Sequence, residues 1–198
     1  MKNKLIVFML LLSWVVSVSA QEAKWSFDNA HSKIQFDVAH MVISEVSGQF
    51  HDYEGIVVTT KEDFSDAKID FSIDVKSIDT DAENRDTHLK SADFFDATKY
   101  PKIIFKSKTM KKAGTNRYKL TGNFSMHGVT KEITLDVKYG GTIKDPYGNL
   151  KAGFKITGVI DRTDFGLTYN SVMETGGLII GEDVTITCKI ELIKSSNL

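Results

Sequence analysis

The residues of this chain that could do chemistry are few: five histidines, one cysteine, and two places where arginine adjoins aspartate, Arg85-Asp86 and Asp161-Arg162. A metal centre needs ligands that converge. His31 and His40 are an odd number of residues apart, so on a regular strand they leave opposite faces, and Asp86 and His88, two apart on a helix, also diverge. No His-x-His, His-Glu-x-x-His or Cys-x-x-Cys spacing occurs, so partnered histidines and no metal are the expectation. Covalent hydrolysis lacks a nucleophile. There is no Gly-x-Ser-x-Gly elbow, and Cys188 falls on the apolar side of Val184-x-Ile186-x-Cys188-x-Ile190-x-Leu192, the place of a small buried hydrophobe. Arg85 follows Asp81 by four residues and Lys90 follows Asp86 by four, which predicts two helix ion pairs worth ~0.3 kcal/mol each. Arg85, Asp86, His88, Asp161 and Arg162 therefore read as rim or structural polar residues, with no catalytic residue and no cofactor expected.

The elements that position these groups are predominantly strands. Strict alternation of apolar and polar residues puts one kind on each face of a strand. It runs through Ile34-Phe36-Val38-His40, Ile69-Phe71-Ile73-Val75, Tyr118 to Met126, Ile133 to Tyr139, Phe154 to Ile160 and Val184 to Leu192. Weaker strands are expected over Phe50 to Thr60 and Lys102 to Thr109, with turns at His127-Gly128, Gly140-Gly141 and Asp145 to Gly148. About eight antiparallel strands with one wet face each predict an all-β barrel or sandwich. Thr80 to Phe95 reads instead as one short helix, with Thr80 and Glu83 spaced as a capping box. Asp161 to Gly181 has no period and reads as a long loop, of the kind that forms a portal on a barrel.

Composition restricts the partners. With 41% hydrophobic and 26% charged residues the chain is ordinary globular material, and 25 basic against 26 acidic residues leave no electrostatic footprint for nucleic acid or an anionic membrane. Lys2 and Lys4 precede an apolar run from Leu5 to Val16, and Val18 and Ala20 supply small residues, which predicts a secretory signal peptide over 1–20 cleaved near Ala20. That run is shorter than the ~20 residues of a transmembrane helix. A single domain, 21–198, with no transmembrane segment and a periplasmic or secreted location, follows as the expectation.

The inward register then says what such a barrel could hold. Phe36, Val38, His40, Phe71, Ile73, Phe105, Leu120, Phe124, Ile156 and Ile186 share it, and His40 is the only readily ionised member. An uncharged interior suits an apolar ligand. Gly122 and Gly158 withdraw volume from the same face, yet eight strands enclose a space that is either filled by side chains or open for one small ligand, and pattern alone leaves both open.

Several motifs together resemble the YceI family of secreted, lipocalin-like, polyisoprenoid-binding proteins. Trp25-x-x-Asp28-x-x-His31-Ser32, His40-Met41, Gly48-x-Phe50 and Ser77-Ile78-Asp79-Thr80 come first, then Arg85-Asp86-x-His88-Leu89-x-Ser91 and Tyr100-Pro101-x-Ile103-x-Phe105. Leu120-Thr121-Gly122, His127 to Lys131 and Gly158-x-Ile160-Asp161-Arg162-x-Asp164-Phe165-Gly166 follow in the family's order, with Ser125-Met126 where the family has Thr-Ile. The resemblance implies an eight-stranded lipocalin-like barrel whose elongated cavity takes an isoprenoid or similar lipid chain, and often a homodimer. It makes the ten inward residues the candidate lipid-binding set of a non-enzymatic carrier or store. Two alternatives stand beside it: an enzyme or metal-dependent protein using the His/Arg/Asp rim, and a ligandless structural barrel of stress response.

Overall fold

An antiparallel sheet whose strands are apolar on one side only can bury that side by rolling up on itself, and the computed structural model has this form. It describes residues 21–172 and 178–195. The expected signal peptide, 1–20, and residues 173–177 of the expected portal loop lie outside the described residues. Eight strands close a ring. In order around it they are β1 (Ala23–Phe27), β4 (Tyr53–Thr59), β5 (Lys68–Asp74), β7 (Lys102–Gly114), β8 (Arg117–Met126), β9 (Val129–Lys144), β10 (Leu150–Asp161) and β11 (Ile180–Lys194). Closure is made by β11 on β1, with Trp25 opposite Lys194 and Phe27 opposite Leu192.

Beyond that junction β2 (Lys33–His40) continues up the same edge of β11, Ile34 facing Cys188 and Val38 facing Val184. It carries β3 (Ser44–Phe50) and the two-residue β6 (Ile78–Asp79), so the sheet spreads at one end of the barrel. Outside, lysine and carboxylate face each other across strands, as in Lys106–Asp70 at 3.1 Å and Lys119–Asp136 at 2.7 Å. Such exposed pairs add little stability but keep the outer face wet. Among the described residues no helix is long and apolar enough to cross a membrane.

Several local expectations need correction. The strand expected over Phe50 to Thr60 is two strands, broken at His51-Asp52, and β1, β3 and β6 carry too few alternating apolar residues to have been expected. Gly140-Gly141 is not a turn. Gly153 faces Gly141 and Phe154 faces Tyr139, so Gly140 is an extra residue, a bulge inside β9. The helix is only α1 (Glu83–Lys90), and its N-cap is Ala82. Thr80 forms no capping box, because its hydroxyl is already engaged by Asp86 and Arg85. For the same reason neither Asp81–Arg85 nor Asp86–Lys90 is among the ion pairs of the described residues.

Candidate functional site: an apolar cavity open at one end

One end of the barrel is plugged from an irregular connection between two strands. The β4–β5 connection turns under the barrel and places Phe64, 1% exposed, between Trp25 at 5.1 Å and Phe154 at 5.0 Å, with Tyr139 stacked on Phe154. Phe64 has φ 59°, a left-handed conformation unfavourable for a bulky residue. The loop around it is tied down. Asp66 accepts from the hydroxyls of Thr59 and Thr60, both at 2.5 Å, and Tyr118 donates its hydroxyl to the Asp63 carbonyl at 2.7 Å.

Above the plug lies a cavity of about 430 Å³. All ten residues of the inward register line it. Phe36, Phe71, Ile156 and Ile186 are only half-buried although they face inward, because the surface they expose is the lumen's own. The interior is therefore open, which the alternation alone left undecided. The glycines work differently from simple withdrawal of volume. A Cβ on Gly122 would lie 2.6 Å from the Phe105 ring, one on Gly158 2.4 Å from Leu135, and one on Gly48 2.3 Å from the Phe36 ring tip. Each glycine lets a large neighbour lie flat against the wall, and the lumen stays clear as a consequence.

The open end carries the polar groups, positioned by α1 and the loop after β10. Arg162, expected at the rim, is 4% exposed and lines the cavity. Its guanidinium donates to the carbonyls of Gly181 (2.8 Å), Tyr169 (3.0 Å), Ile180 (3.3 Å) and Leu167, knitting the loop to the start of β11. Burial lowers its pKa below the ordinary arginine value, opposed by Glu182 and Asp161. Arg85 donates to the Thr80 hydroxyl at 2.7 Å and the Thr80 carbonyl at 2.5 Å, with Asp86 accepting from that hydroxyl at 2.6 Å. His88 stands edge-on to Phe94 and Tyr169, each at 4.9 Å, and both it and Arg85 line the mouth. Asp86 and Asp161 stand behind the cavity: the first holds Thr80, the second accepts from the amide and hydroxyl of Thr163. No Asp, Glu or Lys lines the lumen among the described residues. Cys188 does, and burial pushes its thiol up to about 12, so it stays protonated.

Sequence reasoning missed Phe27, Phe64, Phe94, Phe95, Phe154 and Tyr169, which also line the cavity. Except for Phe154 they lie outside the alternating runs, and the density of aromatics in those irregular stretches was the only signal. It also missed one cluster. Asp28, His31 and Glu191 bring three ligand-capable atoms within 4.8 Å of one another. The Lys151 ammonium sits there, 3.0 Å from Asp28 and 2.7 Å from Glu191, and supplies the positive charge itself. Burial works to raise the pKa of Asp28, but hydrogen bonds from His31 and Lys151 outweigh it and hold the carboxyl at about 2. This is a clamp where β1 gives way to β2.

A small closed barrel around an apolar lumen is an architecture that known proteins share. Residues 25–192 match the YceI-like domain, and the chain belongs to that family. A UPF0312 protein of Staphylococcus aureus strain N315 is 36% identical over 168 residues, 84% of this chain and 95% of its own. The YceI protein of Campylobacter jejuni has a crystal structure that is 32% identical with a TM-score of 0.69, covering 80% of this chain and 90% of that one. A Saccharophagus degradans domain described as polyisoprenoid binding shares the fold at 14% identity and a TM-score of 0.66, over 86% of this chain and 98% of its own.

Proposed function

We propose that the protein is a secreted or periplasmic, non-enzymatic carrier or store for a long apolar lipid, an isoprenoid or similar amphiphile, held in the barrel. The observation that carries this reading is the lumen itself: open at one end, plugged by Phe64 at the other, and, among the described residues, without carboxylate or lysine along its wall. At ~0.8 kcal/mol per buried CH₂, ten ligand carbons contribute about 8 kcal/mol before association costs of several kcal/mol, so affinity needs no charged anchor. The shared fold of a polyisoprenoid binding domain supports the same chemistry. Binding rather than catalysis is supported by the protonated Cys188 and by the employment of Asp86 and Asp161 in holding backbone and hydroxyl groups.

Organic extraction and mass spectrometry of natively purified protein test the reading. A long-chain lipid should be recovered, and its removal should lower the melting temperature by mass action. No extractable lipid together with unchanged melting rejects it. N-terminal sequencing of exported protein should begin at Gln21, and light scattering tests the homodimer that belongs to the same reading.

A further inference from the structure

The strands β2 and β3 are joined by three residues, Met41, Val42 and Ile43; the first two have φ 54° and 64°, and the Ile43 amide donates to the His40 carbonyl at 3.3 Å. The turn from His40 to Ile43 thus has both central residues in left-handed backbone, the pattern of a type I′ turn, which favours Asn-Gly. A β-branched valine is among the worst choices for it. Two of the apolar side chains gain little within the fold, Val42 being 79% exposed and Ile43 87%, and Met41 before them is 39% exposed. Beside them the Met41 amide donates to the Ile179 carbonyl at 2.7 Å, linking the hairpin tip to a second apolar edge where Val172, 75% exposed, bridges Leu178, 38% exposed. Other exposed apolar residues, such as Ile143, Val159 and Ile56, lie singly along the barrel, as is ordinary.

Position gives this patch its meaning. His40, immediately before the tip, and Ile179 and Ile180, immediately after the second edge, line the cavity mouth, so the exposed apolar surface is continuous with the lumen. We propose that this rim docks the open end of the barrel into a neutral lipid bilayer, bringing the mouth to the acyl layer for loading and release. The proposal rests on the lipid-carrier reading above. A second copy of the chain is a poorer occupant, since a stable dimer face uses about 20–30 residues a side, whereas this one has three side chains on the turn and two on the edge beside it. A fluid bilayer accepts a small convex apolar tip without shape matching. Charge does not favour an anionic surface either: the charged residues nearest along both described segments, Glu45, Glu182 and Asp183, are acidic and offset the exposed Arg85 at the same mouth.

Co-sedimentation of the purified protein with phosphatidylcholine vesicles tests this. Wild type should bind, and equally at low and high salt. Val42→Asp/Ile43→Asp should lower the partition coefficient at least about tenfold, as loss of two buried aliphatic side chains requires. A second variant separates docking from folding, because Met41→Asn/Val42→Gly suits the turn better: it should melt higher than wild type yet bind vesicles several-fold less. Absence of wild-type binding, undiminished binding by either variant, or binding abolished by salt overturns the proposal. So does a rim variant that dissociates a dimer while vesicle binding persists. Recovery of lipid from a protein that ignores vesicles overturns the docking and leaves the carrier reading standing. Rim-dependent vesicle binding by a protein that yields no lipid does the reverse.

Discussion

Both ends of the barrel contain bulky residues in left-handed backbone, and they are treated in opposite ways. At the closed end Phe64 has φ 59°, but its ring is buried among Trp25, Tyr139 and Phe154, and hydroxyl-to-carboxylate bonds hold its loop. At the open end Met41 and Val42 have the same backbone conformation, with Val42 in solvent and Met41 partly so. Such conformations cost on the order of 1–3 kcal/mol each and persist when surrounding structure determines them. Ring packing offsets the cost below, whereas above the Met41 amide bond to the Ile179 carbonyl holds the backbone and the Val42 side chain packs on little. The strained residue at the plug is therefore held by packing, and those at the mouth are not.

The largest effect expected from this contrast is at the plug. Phe64→Ala should destabilise the fold by about 3–5 kcal/mol in denaturant titration, through a cavity that the surrounding rings cannot fill. Tyr169→Ala at the mouth, where the ring is 39% exposed, should cost clearly less. Equal losses would mean that the two ends are not distinct. Midway along the lumen, Phe71→Asp places a carboxylate on an apolar wall, at a desolvation cost of several kcal/mol, and should abolish binding of a neutral polyprenol. Phe71→Ala should cost less and shift the preferred chain length. Gly48→Ala comes next, since the new Cβ would meet the Phe36 ring at 2.3 Å and must turn it into the lumen. A loss of about 1–3 kcal/mol is expected, with the longest ligands excluded first. Unchanged ligand length preference would show that the ring can move elsewhere.

The Asp28 clamp predicts a smaller, pH-dependent term. Its folded pKa of about 2 lies below the ordinary 3.8, so its stabilising contribution is present above pH ~4 and is lost as the pH falls towards 2. Chemical denaturation across that range should show a loss on the order of 1–2 kcal/mol that Asp28→Asn removes. An identical acid profile in the variant would assign the loss to other carboxylates.

What was legible in the sequence divides along physical lines. Period-2 alternation reports which face of a strand is buried, so the inward set from Phe36 to Ile186 was readable, and so was the turn at His127-Gly128, whose φ values of 51° and 78° explain the glycine. Alternation carries no information on how far apart opposite walls stand, and the open lumen could not be read from it. Nor could Phe64, which belongs to an irregular polar loop, or the union of Asp28 with Glu191, which only the closure of β11 on β1 brings about. Several family motifs also prove to be scaffold. Tyr100, His127 and Phe165 meet in one cluster, the His127 ring 4.6 Å from Tyr100 and its Nδ1 3.2 Å from the Phe165 carbonyl. Phe165 in turn packs on Phe124 in the cavity wall. Arg85 has a different partner from the expected one, because helix spacing suggested Asp81 and a contact with Thr80, just before the helix, supplies the bonds.

That substitution of partners gives the smallest predicted effect and the sharpest test of where the ligand lies. Arg85 is tied to Thr80 at the mouth, above the apolar wall, so Arg85→Ala removes two hydrogen bonds to a single residue and no tail contact. For a folded variant, affinity for a neutral polyprenol should stay within about threefold of wild type, under 1 kcal/mol. A lipid with an anionic head would lose a charge-assisted partner as well and should weaken more. The same titration with Phe71→Asp completes the comparison. If Arg85→Ala abolished neutral-lipid binding while Phe71→Asp left it untouched, the chain would be held at the mouth and not in the lumen. The contrast between a binding interior and an exchanging rim would then be wrong.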